Sequence, residues 1–252
     1  MINQIIDKIE NDFFDPFPDN DLKEFILKSS KRIRSKVAIL YFKSAGFEIN
    51  NSILKILAAG EIIHNASLLH DDVIDNAEMR RGKTTISKKY SSKISILAGD
   101  YLTSLAIEKL LNLKNFEILN IFKDCIQKMT KAEIKQYFLR GKVPAKSEYI
   151  EICEGKTAAL FEAIFESCAI ILNAPVNNAV NFAKNFGIVF QIKNDLEEHS
   201  AANDKSNEIY TAKDILGIEN TYILLDNYKE EMRKILIKHP ENSYKQELED
   251  LF

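Results

Sequence analysis

Three aspartates within five residues form the cluster of this chain whose residue types point most directly to chemistry. Asp71, Asp72 and Asp75 follow an apolar run, and Arg80 and Arg81 come shortly after them. Carboxylates placed so close together repel one another, so we expect a divalent cation among them. Oxygen ligands favour Mg²⁺, which usually bridges to a phosphorylated substrate, and arginine forks suit phosphate oxygens. The cluster therefore predicts a magnesium and diphosphate site.

A plainer interpretation competes with this one, because three aspartates at a helix end also suit a solvated, capping or calcium-like surface patch. Helical spacing favours binding, since Asp71 and Asp75 would lie one turn apart on one face. His64 would lie about two turns before Asp71 on nearly the same stripe, where a packed core histidine is the ordinary alternative. Lys31 and Arg34 open another apolar helix, where a solvated turn is the ordinary alternative.

The elements that must position these residues are predicted to be long helices. Eight glycines and five prolines are few for 252 residues, and no glycines are spaced as in a Rossmann or P-loop phosphate cradle. Apolar residues recur at helical spacing, first in residues 2–9, before a break at DPFPDN in residues 15–20. Further helices are predicted near residues 21–29, 31–45, 50–76, 91–112, 115–139, 147–173, 176–199, 212–236 and 241–251.

The segment RRGKT is predicted to be a turn, and no strand hairpin is predicted. The predicted fold is therefore all-α, a single-domain bundle of about ten helices over residues 1–252. Within it, residues 1–20 form an N-terminal helix and linker, and residues 199–210 form a polar surface loop.

The composition of the chain limits which partners and which cellular compartment we expect. The chain is 46% hydrophobic with a formal net charge of −3, which gives no argument for nucleic acid or for an anionic membrane surface. Cys125, Cys153 and Cys168 lack metal-ligand spacing, so a reducing compartment is expected. The N-terminal residues do not resemble a signal peptide, and no apolar run is long enough to span a bilayer. We expect a cytoplasmic protein without a transmembrane segment.

Motifs in order along residues 25–225 make the chain resemble the trans-isoprenyl diphosphate synthases, the polyprenyl synthetase family. SKRIRSK resembles the family's GKRLRP stretch, and HNASLLHDDVIDNAEMRRGKTT resembles its first aspartate-rich motif with the diarginine that follows. AGDYL, the pair Glu133 and Gln136, and KTAALFEA come next in family order, and FQIKNDLEE occupies the place of the second aspartate-rich motif. The resemblance implies an isoprenoid-synthase-like helix bundle with a central cavity.

The resemblance also implies a prenyltransferase that condenses isopentenyl diphosphate with an allylic diphosphate. Asp71, Asp75 and Asp195 would bind about three Mg²⁺ ions when diphosphate is present. The implied catalytic residues are Asp71, Asp72, Asp75, Arg80, Lys156, Gln191 and Asp195. Those implied for the allylic diphosphate are Arg80, Lys156, Thr157 and Gln191, and those for isopentenyl diphosphate are Lys31, Arg34, His64 and Arg81. A homodimer is implied by analogy.

Product length is the next implication. Ala66 and Ser67 lie five and four residues before Asp71, where family members face the tunnel for the growing chain and bulky aromatic residues stop elongation. Two small side chains predict an open tunnel and a long-chain product of about C35 to C45, of octaprenyl type. Ordinary helix packing by small residues is the alternative interpretation.

The chain departs from the family pattern at the second aspartate-rich motif. Asn194, Asp195 and Glu198 stand where the family usually has DDxxD, the GKxxGxD loop is missing, and the C-terminus is shorter than usual. Two alternatives therefore stay open. One is a catalytically weak or regulatory subunit of a heteromeric synthase. The other is a class I terpene cyclase, because Asn194 and Asp195 resemble the start of that group's NSE motif, although the match fails at Glu198 and Ala202.

Overall fold

A computed structural model of the chain describes residues 5, 6, 9, 19–27, 32–80, 82–197 and 207–252. In these residues the protein is helical apart from one short hairpin, which confirms the all-α prediction. The helices are α1 (Asn20–Leu27), α2 (Ile33–Ser44), α3 (Asn51–Ile74), α4 (Ile86–Lys89), α5 (Ser92–Leu111), α6 (Phe116–Leu139), α7 (Lys146–Cys153), α8 (Ala159–Leu172), α9 (Val176–Leu196), α10 (Ala212–Leu216), α11 (Ile218–Leu236) and α12 (Ser243–Glu249).

The chain divides into two compact units, residues 1–39 with 49–119 and residues 40–48 with 120–252. The first of these, unit 1, is built on α3, whose side chains are buried along most of its length. Asn50 caps α3, since its Oδ1 accepts from the Ile53 N–H at 3.0 Å. The helix packs against α5, where the buried Ser95 hydroxyl donates to the Leu69 carbonyl at 2.8 Å. The contact with α5 is made at Leu69, two residues before Asp71, and therefore stabilises the end of α3 that carries the three aspartates.

Among the described residues, α3 is also the one helix long and apolar enough, by length and composition, to cross a bilayer. The protein itself buries 67% of the most apolar window of this helix. Core helices of soluble proteins pass the same test, so the finding is weak evidence for a membrane span.

A two-stranded antiparallel hairpin follows α3, so the prediction of a turn without strands was wrong. Strands β1 (Met79–Arg80) and β2 (Lys83–Thr84) pair Arg80 with Lys83. Gly82 supplies the positive φ, +74°, that so tight a connection needs. Thr85 stabilises the base of the hairpin, because its buried hydroxyl donates to the Ala77 carbonyl at 2.6 Å.

Unit 2 has an aromatic core between α8 and α9. Phe161 and Phe165 of α8 are fully buried against α9, with the Phe161 and Phe186 ring centroids 5.3 Å apart and those of Phe165 and Phe182 5.9 Å apart. Such rings bury large apolar areas and attract one another further by their edge and face charges. The pair α8 and α9 therefore forms a rigid support for the residues at their ends.

A π-helical turn, Glu154–Ala158, joins α7 to α8, so the helix predicted over residues 147–173 carries an insertion. Two glycines make room for it. A Cβ on Gly155 would lie 2.4 Å from the Ala132 Cβ, and one on Gly187 would lie 2.4 Å from the Ala158 Cα. Because π-turns often occur at functional sites, the residues of this turn, Lys156 and Thr157, are of interest.

Residues 239–242, which follow α11, dock onto the end of α2 within unit 2. The Ser44 hydroxyl and the His239 Nδ1 are 2.8 Å apart, and the Asn242 Nδ2 donates to the Ser44 carbonyl at 2.9 Å. The His239 ring also stacks edge-on against Tyr41, with 4.8 Å between centroids. Burial lowers the pKa of His239, and nearby Lys245 lowers it further.

Other predicted boundaries agree with the structure within a few residues. The predicted helix 212–236 is divided by Gly217, whose φ is +78°. Of the predicted N-terminal helix, only Ile5, Ile6 and Ile9 are described, and they are helical. Of the predicted loop 199–210, only residues 207–210 are described. The single domain over residues 1–252 stays a prediction.

Candidate active site

Asp71 and Asp75 lie one helical turn apart at the C-terminal end of α3. The Asp75 N–H donates to the Asp71 carbonyl at 2.8 Å, and both side chains are half-exposed. A helix C-terminus carries partial negative charge and disfavours carboxylates, which also repel each other. A divalent cation beside these two carboxylates would offset both effects.

Asp72 faces elsewhere. It is 4% exposed, and its Oδ1 accepts from the Arg80 Nε at 2.6 Å. Burial raises the pKa of Asp72, Arg80 lowers it, and Asp75 adds a smaller increase. Asp72 therefore holds the side chain of Arg80, which lies in β1, in position. Its role in the site is to orient Arg80.

The carboxylates of Asp71 and Asp75 suit a hydrated divalent ion. Mg²⁺ binds through one or two carboxylates and completes its octahedron with waters and substrate phosphates, which Asp71 and Asp75 can accommodate at partly exposed positions. In the described residues, no group of three or more His, Cys, Asp or Glu side chains is placed to hold a metal ion.

The residues predicted for isopentenyl diphosphate are described in part. Arg34 is 5% exposed at the start of α2, and His64 is half-buried in α3. The Ser35 N–H and hydroxyl both bond the Glu61 Oε1, at 3.0 and 2.8 Å, which places the start of α2 beside the turn of α3 before His64. Lys31 and Arg81, predicted for the same substrate, lie outside the described residues.

The residues predicted to set product length differ in exposure. Ala66 is 2% exposed, whereas Ser67 is half-buried and donates its hydroxyl to the His64 carbonyl at 2.9 Å. A larger side chain at Ala66 would meet packed neighbours directly. Ser67 therefore has more room for substitution.

In unit 2, Lys156 of the π-turn is held by α6. It forms a short ion pair with Glu133, and its Nζ donates to the Gln136 Oε1 at 2.5 Å. The Glu133 and Gln136 pair of the sequence is thus brought together with the lysine of KTAALFEA. The contact balances the charge of Lys156 within the protein.

Asp195 lies at the centre of a hydrogen-bond network. It is 3% exposed, and its Oδ2 accepts from the Tyr149 hydroxyl at 2.7 Å and from the Ala212 N–H at 2.9 Å. Its Oδ1 accepts from the Gln191 Nε2 at 2.8 Å, and the Gln191 Oε1 accepts from the Thr157 hydroxyl at 2.9 Å. The network connects α7, the π-turn, α9 and the start of α10.

Burial raises the pKa of Asp195, and the hydrogen bonds from Ala212, Tyr149 and Gln191 lower it. Burial also raises the pKa of Tyr149, so its hydroxyl stays protonated and can donate. Asp195 is therefore enclosed by donors of its own chain.

Sequence reasoning missed two residues that organise the site. Tyr149 lies in no recognised motif, and nothing in its own segment indicates a partner 46 residues away. Glu61, 1% exposed, could have been found as the one acidic residue in the apolar run ILAAGEIIHN, because a buried carboxylate needs a partner.

The predicted site residues that the structure describes fall in two groups. Arg34, His64, Asp71, Asp72, Asp75 and Arg80 belong to unit 1, and Lys156, Thr157, Gln191 and Asp195 belong to unit 2. In unit 1 a hydrogen bond joins Asp72 to Arg80, and in unit 2 hydrogen bonds join Thr157, Gln191 and Asp195.

Many known proteins are similar in sequence to this chain. The profile of the Polyprenyl synthetase family matches residues 19–251. The chain is 33% identical over 175 residues to octaprenyl diphosphate synthase of Haemophilus influenzae, an alignment that covers 68% of this chain and 53% of that protein. The chain spans about half the length of the curated relatives it matches.

Solved structures agree in fold. Heptaprenyl diphosphate synthase from Staphylococcus aureus has a TM-score of 0.88 at 23% identity, covering 100% of this chain and 96% of that one. A polyprenyl synthase from Caulobacter crescentus, complexed with calcium and isoprenyl diphosphate, has a TM-score of 0.78 at 20% identity, covering 99% and 91%. Since the family profile covers nearly the whole sequence and the fold agrees, the chain belongs to the polyprenyl synthetase family.

Proposed function

We propose that this chain is a prenyltransferase that condenses isopentenyl diphosphate with an allylic diphosphate to give a long-chain all-trans polyprenyl diphosphate. The observation that carries the proposal is the arrangement at the end of α3, where Asp71 and Asp75 share one face and Asp72 holds Arg80 at the same end. Curated relatives named octaprenyl and decaprenyl diphosphate synthases support a long-chain product.

The charge that develops on the leaving diphosphate explains why acidic and basic residues lie at this site. The double bond of isopentenyl diphosphate attacks the allylic carbon, the carbon–oxygen bond to diphosphate breaks, and a proton leaves to the departing diphosphate. Bound through Asp71 and Asp75, divalent ions such as Mg²⁺ would stabilise the negative charge that develops on the leaving group. Arg80 adds a positive charge, and Asp72 fixes its direction.

Unit 2 contributes hydrogen-bond donors for the allylic side. Gln191 has two N–H groups on Nε2, and one of them donates to Asp195. The Thr157 hydroxyl fixes the other end of the same amide. Gln191 is thereby oriented to offer its second N–H to a diphosphate oxygen.

The test is incubation of the pure protein with Mg²⁺, isopentenyl diphosphate and either geranyl or farnesyl diphosphate, followed by chromatography of the dephosphorylated products. Elongated prenyl alcohols are the expected result. Omission of isopentenyl diphosphate is the control. A hydrocarbon or alcohol formed from the allylic substrate alone would contradict the proposal and favour a cyclase.

A second candidate is a catalytically weak subunit that pairs with an active synthase. It is favoured by one observation at the second motif, where the first carboxylate is replaced by the amide of Asn194 and the remaining Asp195 is enclosed. An elongation rate that rises only when an active synthase chain is added would favour this candidate. Full activity of the pure chain would exclude it.

We also propose a cytoplasmic homodimer. The exposed apolar side chains Leu97, Ile107 and Leu111 of α5 offer a face for a second copy. All three cysteines are buried and outside disulfides, which supports a reducing compartment. Light scattering should give twice the mass of the chain, and Leu97→Glu should shift the protein toward monomer.

A further inference from the structure

We propose that Asp195 is a positioning residue held by Tyr149 rather than a metal ligand, and that divalent ions bind this chain through Asp71 and Asp75. The inference deepens the proposed function and rests on it for the identity of the substrates. It differs from the expectation that Asp195 reaches a third metal ion.

The hydrogen bonds of Asp195 carry the argument. A carboxylate offers about four lone-pair positions on two oxygens, and three of them already accept from Tyr149, Ala212 and Gln191 at 2.7 to 2.9 Å. Mg²⁺ demands near-ideal octahedral geometry and keeps several waters. A side chain only 3% exposed has no room for such an ion.

The neighbours of Asp195 that the structure describes do not replace it as ligands. Asn194 carries an uncharged amide, and Glu197 lies exposed just beyond the last residue of α9. Asp214, the other acid close enough to affect Asp195, caps α10, because its Oδ2 accepts from the Thr211 N–H at 2.9 Å and from the Thr211 hydroxyl at 2.6 Å. These described carboxylates are either committed to the fold or directed to solvent.

The consequence of the network is an ordered Gln191. Its amide is fixed at both ends, by Thr157 at Oε1 and by Asp195 at Nε2. Tyr149 in turn fixes the carboxylate from the opposite oxygen. Tyr149 therefore acts on a substrate through Asp195 and Gln191, although it touches neither substrate nor metal itself.

Metal binding tests the first half of the proposal without any catalysis. Mn²⁺ is titrated into the protein in the presence of inorganic diphosphate and followed by electron paramagnetic resonance. Asp195→Asn and Tyr149→Phe should keep the wild-type number of bound ions, with Kd within about two-fold, whereas Asp75→Asn should raise Kd by at least about ten-fold. A lost ion, or a ten-fold weaker Kd, in either of the first two variants overturns the proposal.

Steady-state kinetics test the second half. Tyr149→Phe and Gln191→Ala should each raise KM for the allylic diphosphate about three- to ten-fold, with smaller changes in kcat and in KM for isopentenyl diphosphate. The double variant should resemble the more affected single variant, because both changes remove the same orientation. Multiplied effects in the double variant would overturn the positioning role.

The two proposals fail differently. A protein that binds Mn²⁺ and diphosphate normally but makes no elongated product contradicts the proposed function alone. An active enzyme whose Asp195→Asn variant loses a Mn²⁺ ion contradicts this inference alone. Since Tyr149→Phe removes one hydroxyl and no volume of importance, it serves as the folded variant if Asp195→Asn does not fold.

Discussion

Asp71, Asp72 and Asp75 are neighbours in the sequence, but their surroundings differ. Two of them share the exposed face at the end of α3, while Asp72 is buried against Arg80. Helical spacing alone predicts this separation, because a residue next to Asp71 points about 100° away from it. The sequence could not show that Arg80, eight residues later, would be the partner of Asp72.

Substitutions of Asp75 and Asp72 should have different effects, the first on the reaction rate and the second on the stability of the fold. Asp75→Asn should lower the rate of prenyl transfer about 100-fold with little change in melting temperature, since its side chain is half-exposed. Asp72→Asn should lower the free energy of unfolding by about 1–3 kcal/mol, because Arg80 loses its counter-charge. Calorimetry and a product assay measure both. Equal melting temperatures for the two variants would contradict the assignment.

Ala66 and Ser67, five and four residues before Asp71, permit a test of product length. Ser67→Phe should shorten the product while the protein stays folded, because Ser67 is half-buried. Ala66→Tyr should also destabilise the fold by about 1–3 kcal/mol, since Ala66 is packed on all sides and larger residues strain such positions. Chromatography gives the length and calorimetry the stability. An unchanged length in Ser67→Phe would show that this residue does not face the tunnel.

At the scale of elements, the helices were predictable and the connections were less so. Apolar periodicity located α3, α5 and α9 within a few residues of their observed ends. It could not reveal the π-turn, because one inserted residue leaves the apolar pattern of KTAALFEA intact. Of the two glycines that accommodate the turn, Gly155 lies within it, but Gly187 lies far from it in sequence. The hairpin was missed because its strands have two residues each, too few for any alternation.

The close approach of α9 to the π-turn should make Gly187 intolerant of substitution. Gly187→Ala places a Cβ 2.4 Å from the backbone of Ala158, so the helices must separate, and we expect a loss of about 2–4 kcal/mol in the free energy of unfolding. Gly99→Ala is the matched control. The three atoms nearest to its Cβ all belong to the His70 ring, the first at 2.3 Å, and that side chain is partly exposed and can turn away.

Denaturant unfolding of both glycine variants measures the difference. Gly187→Ala should also lose prenyl transfer, because Lys156 and Thr157 sit on the displaced turn. Gly99→Ala should lose less than half as much stability. If both glycines tolerate alanine equally, the tight packing at the π-turn is wrong.

At the scale of the whole molecule, the fold depends on contacts that join residues far apart in the chain. Ala212 reaches Asp195 across 17 residues, and His239 reaches Ser44 across 195. Local patterns cannot predict such pairs, since each residue alone is ordinary for its segment. The ordered motifs predict the site residues as a set, whereas the partners of Asp72 and Asp195 could be found only from the fold.

The docking of His239 predicts a dependence of stability on pH. Its pKa is lowered in the folded state from about 6.5, so the unfolded chain binds more protons as the pH falls through this value. Stability is therefore full above about pH 6.5 and declines below it, by less than about 1 kcal/mol because the ring is partly exposed. His239→Asn should flatten the decline between about pH 7 and 5. An unchanged slope would contradict the role of this ring.

The hydrogen bond from Ala212 to Asp195 has a consequence for backbone exchange. Ala212 is the first residue of a five-residue helix, a place where amide protons ordinarily exchange with deuterium quickly because no helical carbonyl accepts them. Here the proton lies between a buried carboxylate and its own nitrogen. The Ala212 amide should therefore exchange slowly, with a resonance displaced downfield, and its exposure would report the opening of the Tyr149–Asp195 network without any substrate present.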